Sequence, residues 1–78
     1  MLERALTHLV GKIVDHPDEV SVTSVSGQRG EVLEIRVHPD DLGRVIGRSG
    51  RTAKALRTVV SALAGNRRVR VDVVDQDS

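Results

Sequence analysis

Two stretches whose apolar residues recur at helical spacing, Leu42 to Ile46 and Ala53 to Leu63, are separated by little more than Gly47-Arg48-Ser49-Gly50. Each outer end of this pair runs into a segment with a different period. From Glu31 to His38, Leu33, Ile35 and Val37 alternate with Glu34, Arg36 and His38, and from Arg67 to Val74, Val69, Val71 and Val73 alternate with Arg68, Arg70 and Asp72. Period two gives strands with one buried and one more polar face. Two strands joined by a helical crossover can lie parallel in one sheet, with the helices packed on one of its faces.

The rest of the chain completes that layer. Leu2, Leu6, Leu9, Val10 and Ile13 predict an amphipathic helix over residues 2–14, stopped by Asp15-His16-Pro17-Asp18. Val20, Val22 and Val25 sit in a Ser/Thr/Val-rich run typical of a strand, and Ser26-Gly27-Gln28-Arg29-Gly30 has the residues of a hairpin loop, so the first two strands pair antiparallel. Pro39-Asp40-Asp41 supplies a rigid first turn and acidic caps for a short helix with Leu42, Val45 and Ile46 on its apolar side, and Gly47 stops it. In the longer helix that follows, Ala53, Leu56, Val59, Val60 and Leu63 are expected to face inward, and Arg51, Lys54, Arg57 and Ser61 outward, up to a stop at Gly65-Asn66. The predicted fold is α+β, in the order α-β-β-α-α-β, with a three-stranded mixed sheet covered on one face by helices. It is read as one domain over residues 1–78, ending in a polar tail at residues 75–78.

A formal net charge of +1 conceals a division. The segment from Leu42 to Val71 holds Arg44, Arg48, Arg51, Lys54, Arg57, Arg67, Arg68 and Arg70 and no acid, whereas all eleven acidic residues lie outside it. A polyanion would meet the basic half. The chain has no Phe, Tyr or Trp, so bases cannot stack on aromatic platforms. It has no cysteine, which removes disulfides, thiolate nucleophiles and cysteine-held metals together and fits a reducing compartment. Glu3 and Arg4 near the N-terminus, with no long apolar run after them, argue against a signal peptide or a membrane span and favour the cytoplasm.

The segment that concentrates chemistry is Gly43-Arg44-Val45-Ile46-Gly47-Arg48-Ser49-Gly50-Arg51. A short helix, a tight glycine-bounded loop and a basic helix place backbone N–H groups at one helix start, where amides and dipole together favour an anion. Glycine accepts positive φ, and having no Cβ it admits a sugar-phosphate backbone closely. Arg44, Arg48, Arg51 and Lys54 can add charge-assisted contacts to successive phosphates, with Arg57 further along the same helix and Ser49 in the loop. Val45 and Ile46 offer bases an apolar flank in place of rings.

At these residues the chain resembles the KH family, whose signature is an apolar pair followed by G-x-x-G and a helix, here Val45-Ile46-Gly47-Arg48-Ser49-Gly50. The element order is similar to the type II arrangement. The longer string from Pro39 to Val60 resembles the small stand-alone bacterial branch of that family, the KhpA type. The resemblance implies a cytoplasmic single-stranded RNA-binding protein. It further implies an RNA chaperone or post-transcriptional regulator that acts with a second KH protein of the KhpB type and influences cell-wall biogenesis and cell shape. A homodimer would serve the same end, because linked weak sites gain avidity.

Other readings compete. A bare G-x-x-G arises in many αα turns without a ligand. A helix-turn-helix reader of duplex DNA would need a longer first helix, and a scaffold domain would meet an acidic protein with its basic side. The sequence holds no phosphate-loop string, no nucleophile and base pair, and no metal-binding spacing among His8, His16 and His38, so neither an enzyme, a cofactor nor a metal is expected. The three histidines are read as structural or surface residues.

Overall fold

The computed structural model describes residues 2–74; the polar tail at residues 75–78 lies outside them. Along the chain run α1 (Leu2–Gly11), β1 (Ser21–Gly27), β2 (Gly30–Arg36), α2 (Leu42–Ile46), α3 (Arg51–Ala64) and β3 (Val69–Val73), with single 3₁₀ turns at Pro17–Glu19, Pro39–Asp41 and Arg48–Gly50. The sheet order is β1-β2-β3. β1 and β2 are antiparallel, and β2 and β3 are parallel across the two-helix crossover. This is the expected type II KH arrangement.

The register explains the layer. Ser24 pairs with Leu33 and Leu33 with Val71, while Val22 pairs with Ile35 and Ile35 with Val73. These side chains therefore share the helix-covered face, where Leu33, Ile35 and Val71 are buried. Val25, Val32 and Arg70 share the opposite face, followed by Thr23, Glu34 and Asp72. Leu2, Leu6 and Val10 of α1, Val45 of α2, and Leu56, Val60 and Ala64 of α3 complete a core built of aliphatic side chains alone.

Three expectations need correction. α1 ends at Gly11 rather than residue 14, but the chain keeps winding through short-range bonds, Ile13 N–H to the Val10 carbonyl at 2.9 Å and Val14 N–H to the same carbonyl at 3.3 Å, so Val14 is still buried. The hairpin loop is tighter than Ser26 to Gly30: Gly27 and Gly30 pair, and only Gln28 and Arg29 turn the corner. Gly30 has φ of +116°, and a Cβ there would lie 2.5 Å from the Arg68 carbonyl oxygen, so this hairpin can meet the approach to β3 only at a glycine. Finally, Val59 and Leu63 do not face inward. α3 buries the line Ala53, Leu56, Val60 and Ala64, and Val59 and Leu63, rotated to one flank of that line, are 41% and 58% exposed. A five-residue α2 and a three-stranded sheet are too narrow to cover a wider stripe.

Candidate functional site

The turn between α2 and α3 is shaped by three residues in unusual backbone conformations. Gly47 ends α2 with φ 78° and ψ 170°, a region essentially reserved for glycine. Ser49 (φ 58°, ψ 27°) and Gly50 (φ 74°, ψ 15°) are both left-handed, and α3 begins directly after them. The two glycines are not equivalent. A Cβ on Gly47 would lie 2.3 Å from Thr52 Oγ1 and 2.7 Å from Thr52 N, so its bareness serves the packing of the first turn of α3. Around Gly50 a Cβ would meet nothing within 4 Å, and that side of the turn is open to a ligand. Gly47→Ala should therefore destabilise the fold by about 2 kcal/mol or more, through overpacking and backbone strain together. Gly50→Asn, which suits a left-handed residue, should cost well under about 1 kcal/mol. Denaturant titration of the two variants checks this, and equal losses would mean the glycines play the same part.

Around this turn the structure gathers most of the residues singled out in the sequence. Arg44 lies on α2, Arg48 and Ser49 in the turn, and Arg51 and Lys54 in the first turns of α3, all exposed. Val45, by contrast, is fully buried in the core and presents no side chain to a ligand; Ile46, 39% exposed, is the apolar residue beside the turn. Arg57 reaches the other way. Its Nε–H donates to the Val71 carbonyl at 3.3 Å, clipping α3 to β3. Beside that clip a surface groove of about 680 Å³ opens, lined by Arg57 and Ser61 of α3, by residues of β3 including Arg70 and Asp72, and by Glu34 and neighbouring valines of β1 and β2. Bases thus run from the turn along α3 toward β3, where Glu34 and Asp72 stand among them. Arg67 is occupied elsewhere, paired with Glu31, which also accepts from Ser24 Oγ. The Ser24 hydroxyl first, and Arg67 with it, hold the Glu31 carboxyl below its usual range.

Asp41 is the residue that sequence reasoning misjudged. Read as a helix cap, it stands before α2 but makes no cap hydrogen bond; the side-chain cap belongs to the preceding 3₁₀ turn at Pro39–Asp41, where His38 Nδ1 accepts from Asp40 N–H at 3.0 Å. Asp41 is 1% exposed and gathers in the loop after α1, accepting from the N–H groups of Asp15 at 3.2 Å and His16 at 3.0 Å and from His16 Nδ1 at 3.0 Å. Burial works to raise its pKa, but these three donors outweigh it and the carboxyl lies below its usual range. The His16 ring is held above its ordinary value, foremost by the hydrogen bond to Asp41, and stacks on His38 with centroids 4.0 Å apart and planes 13° from parallel. The only sequence signal for this cluster was the pairing of an Asp-His turn with a second Asp-Asp turn. Among the described residues no group of three or more His, Cys, Asp or Glu is disposed to hold a metal ion, and no helix is long and apolar enough to cross a membrane.

With this geometry in view, comparison with known proteins is decisive. The model of the KH domain of KhpA and KhpB matches residues 3–74. The chain belongs to the KhpA/KhpB KH-domain family. It is 75% identical over 75 residues to the RNA-binding protein KhpA of Leifsonia xyli subsp. xyli, covering 96% of this chain and 99% of the relative. The RNA-binding protein KhpA of Streptomyces coelicolor is 69% identical over 77 residues, covering 99% of this chain and 96% of the relative. A more distant relative of the same description, from Halalkalibacterium halodurans, is 47% identical over 76 residues, covering 95% of this chain and all of the relative.

Proposed function

We propose that this chain is a non-enzymatic, cytoplasmic RNA-binding protein. In this reading the Gly47-Arg48-Ser49-Gly50 turn grips the backbone of a single strand, and Arg44, Arg51, Lys54 and Arg57 extend the contact along α3. One observation carries it: an open left-handed turn leads into a helix whose first cations, Arg51 and Lys54, have no ion-pair partner among the described residues. The shared description of the KhpA relatives as RNA-binding proteins supports the same reading. Ile46, rather than Val45, supplies the apolar contact to bases. A duplex-DNA reader fits poorly, because α2 has only five residues. Binding of a labelled unstructured RNA should exceed that of a duplex DNA of equal length, and should weaken with salt at about −0.7 per phosphate contact on a log-log plot. Lys54→Ala should lower that slope by somewhat under one unit whatever the RNA sequence. An unchanged slope would move the RNA off α3.

A single aromatic-free site binds modestly, and a chaperone or post-transcriptional role calls for a second KH surface, in a KhpB-type partner or a second copy of the chain. The exposed Val59 and Leu63 on one flank of α3 suit such pairing, since Lys54, Arg57 and Ser61 lie on the other flank and would stay uncovered, Arg57 with its Nε–H already given to the Val71 carbonyl. Leu63→Glu should leave the melting temperature of the isolated chain within about 3 °C of the parent, as surface substitutions do. It should abolish any dimer seen by sedimentation. A dimer that persists would place the pairing surface elsewhere. Roles in cell-wall biogenesis and cell shape would follow from the RNAs bound.

A further inference from the structure

Arg44 differs from the other cations around the turn. Its Nη2 lies 3.2 Å from Asp15 Oδ2, whereas Arg48, Arg51 and Lys54 have no ion pair among the described residues. Both members of the pair are more than half exposed, and an ordinary pair of that kind is a weak, fluctuating contact. This one is anchored unusually well. The N–H of Asp15 and that of His16 are both held by the buried Asp41, the residue directly before α2, and Val14 on the other side is buried in the core. The loop that carries Asp15 is therefore fastened to the helix that carries Arg44, and the short Asp side chain has little freedom left to lose. An acid is stationed beside one edge of the basic surface, in a fixed relation to it.

We infer that Asp15 is a built-in counter-charge that restrains Arg44 from RNA, so that this chain's affinity for a single strand is held below what its cations would otherwise give. The inference rests on the RNA-binding reading of Arg44. A phosphate that approaches Arg44 must displace the carboxylate or bind beside it, and either way meets like charge. Because Asp15 joins the Asp41 contact through its backbone and not its side chain, Asp15→Asn removes the charge and leaves the anchor intact.

The test is a double-mutant cycle with Asp15→Asn, Arg44→Ala and the double variant, read by fluorescence anisotropy of a labelled, unstructured single-stranded RNA at about 50 mM and about 500 mM salt. Asp15→Asn should bind roughly two- to fivefold tighter at the lower salt and equally to the parent at the higher, the span expected of an exposed charge pair. In the Arg44→Ala background the gain should vanish. A gain that survives there would make Asp15 a general repellent and overturn the pairing. No gain, or a loss, beside a weakened Arg44→Ala variant would overturn the inference while sparing the RNA reading. Arg44→Ala with parental affinity would instead remove Arg44 from the RNA site, and the inference with it. Asp15→Ser, equally neutral, should reproduce the Asn result, and thermal melts should show all five chains, the parent included, folded alike.

Discussion

A chain carrying Arg48→Asp and Ser49→Asp should lose detectable binding to single-stranded RNA while melting close to the parent. Both side chains are exposed, and neither makes a hydrogen bond or ion pair among the described contacts, so the fold loses no partner when they change. Ser49 is not conformationally neutral, since its φ is 58°. Aspartate, however, is among the few non-glycine residues that enter the left-handed region readily, because its short polar side chain can bond locally. Gly47 and Gly50, which shape the turn, are untouched. Two carboxylates would then stand where the proposed site takes a phosphate, and the loss of the proposed Arg48 contact would add to the repulsion. A penalty of at least a few kcal/mol is the usual size for such terms, enough to carry a modest binder out of the measurable range. Anisotropy titration with a thermal melt on the same sample decides the matter. Parental melting with parental affinity would mean that the turn is not the RNA site.

The legibility of this chain followed how each signal is encoded. Strand alternation in Glu31 to His38 and Val69 to Val73 is a local pattern, and the sheet follows from it because the crossover leaves little choice of direction. The turn was legible for a different reason: glycine at both ends of a four-residue gap between helices marks positive φ in the sequence itself. What escaped was set by packing between distant segments. Nothing local distinguishes Val59 from Val60, yet a rotation of one residue on α3 separates an exposed side chain from a buried one, because the covering layer is narrow. Val45 and Ile46 divide the same way, Val45 into the core and Ile46 toward solvent. Asp41 was misread because caps are local and common, whereas a carboxylate accepting from a loop some 25 residues away is fixed only by the tertiary fold. That the Arg57 side chain spends a donor on the Val71 carbonyl was likewise invisible until α3 lay over β3.

The largest stability effect should come from Asp41. Its two oxygens face two backbone N–H groups and one imidazole N–H, all donors, so the site accepts only an acceptor. In Asp41→Asn one oxygen becomes an NH₂ that must point at a donor, and in Asp41→Leu both part-buried backbone N–H groups lose their acceptor. Either change should lower the melting temperature on the order of 10 °C or more, and Asp41→Leu the more of the two. The same cluster sets a pH profile whose sign can be worked out. The Asp41 carboxyl is held below its ordinary 3.8, so its contribution is present above that value and is lost as pH falls through the folded pKa. The Glu31 carboxyl, below its ordinary 4.5, behaves alike. His16 is held above its ordinary 6.5, by the hydrogen bond to Asp41 and by the nearby charges of Asp41, Glu19 and Asp40, so its contribution is complete below 6.5 and is lost as pH rises through the folded pKa. The stacked His38 ring and the exposed Asp15 carboxylate complete the surroundings of His16. The cluster therefore stabilises most between its two ordinary values, 3.8 and 6.5, and weakens in steps on either side. Melting temperatures measured across that range should fall as pH rises above it, and in His16→Ala this alkaline fall should disappear while the acid limb, owed to Asp41 and Glu31, remains. An alkaline fall that persists in His16→Ala would show that some other group titrates there, and that the bond from His16 to Asp41 adds nothing to the fold.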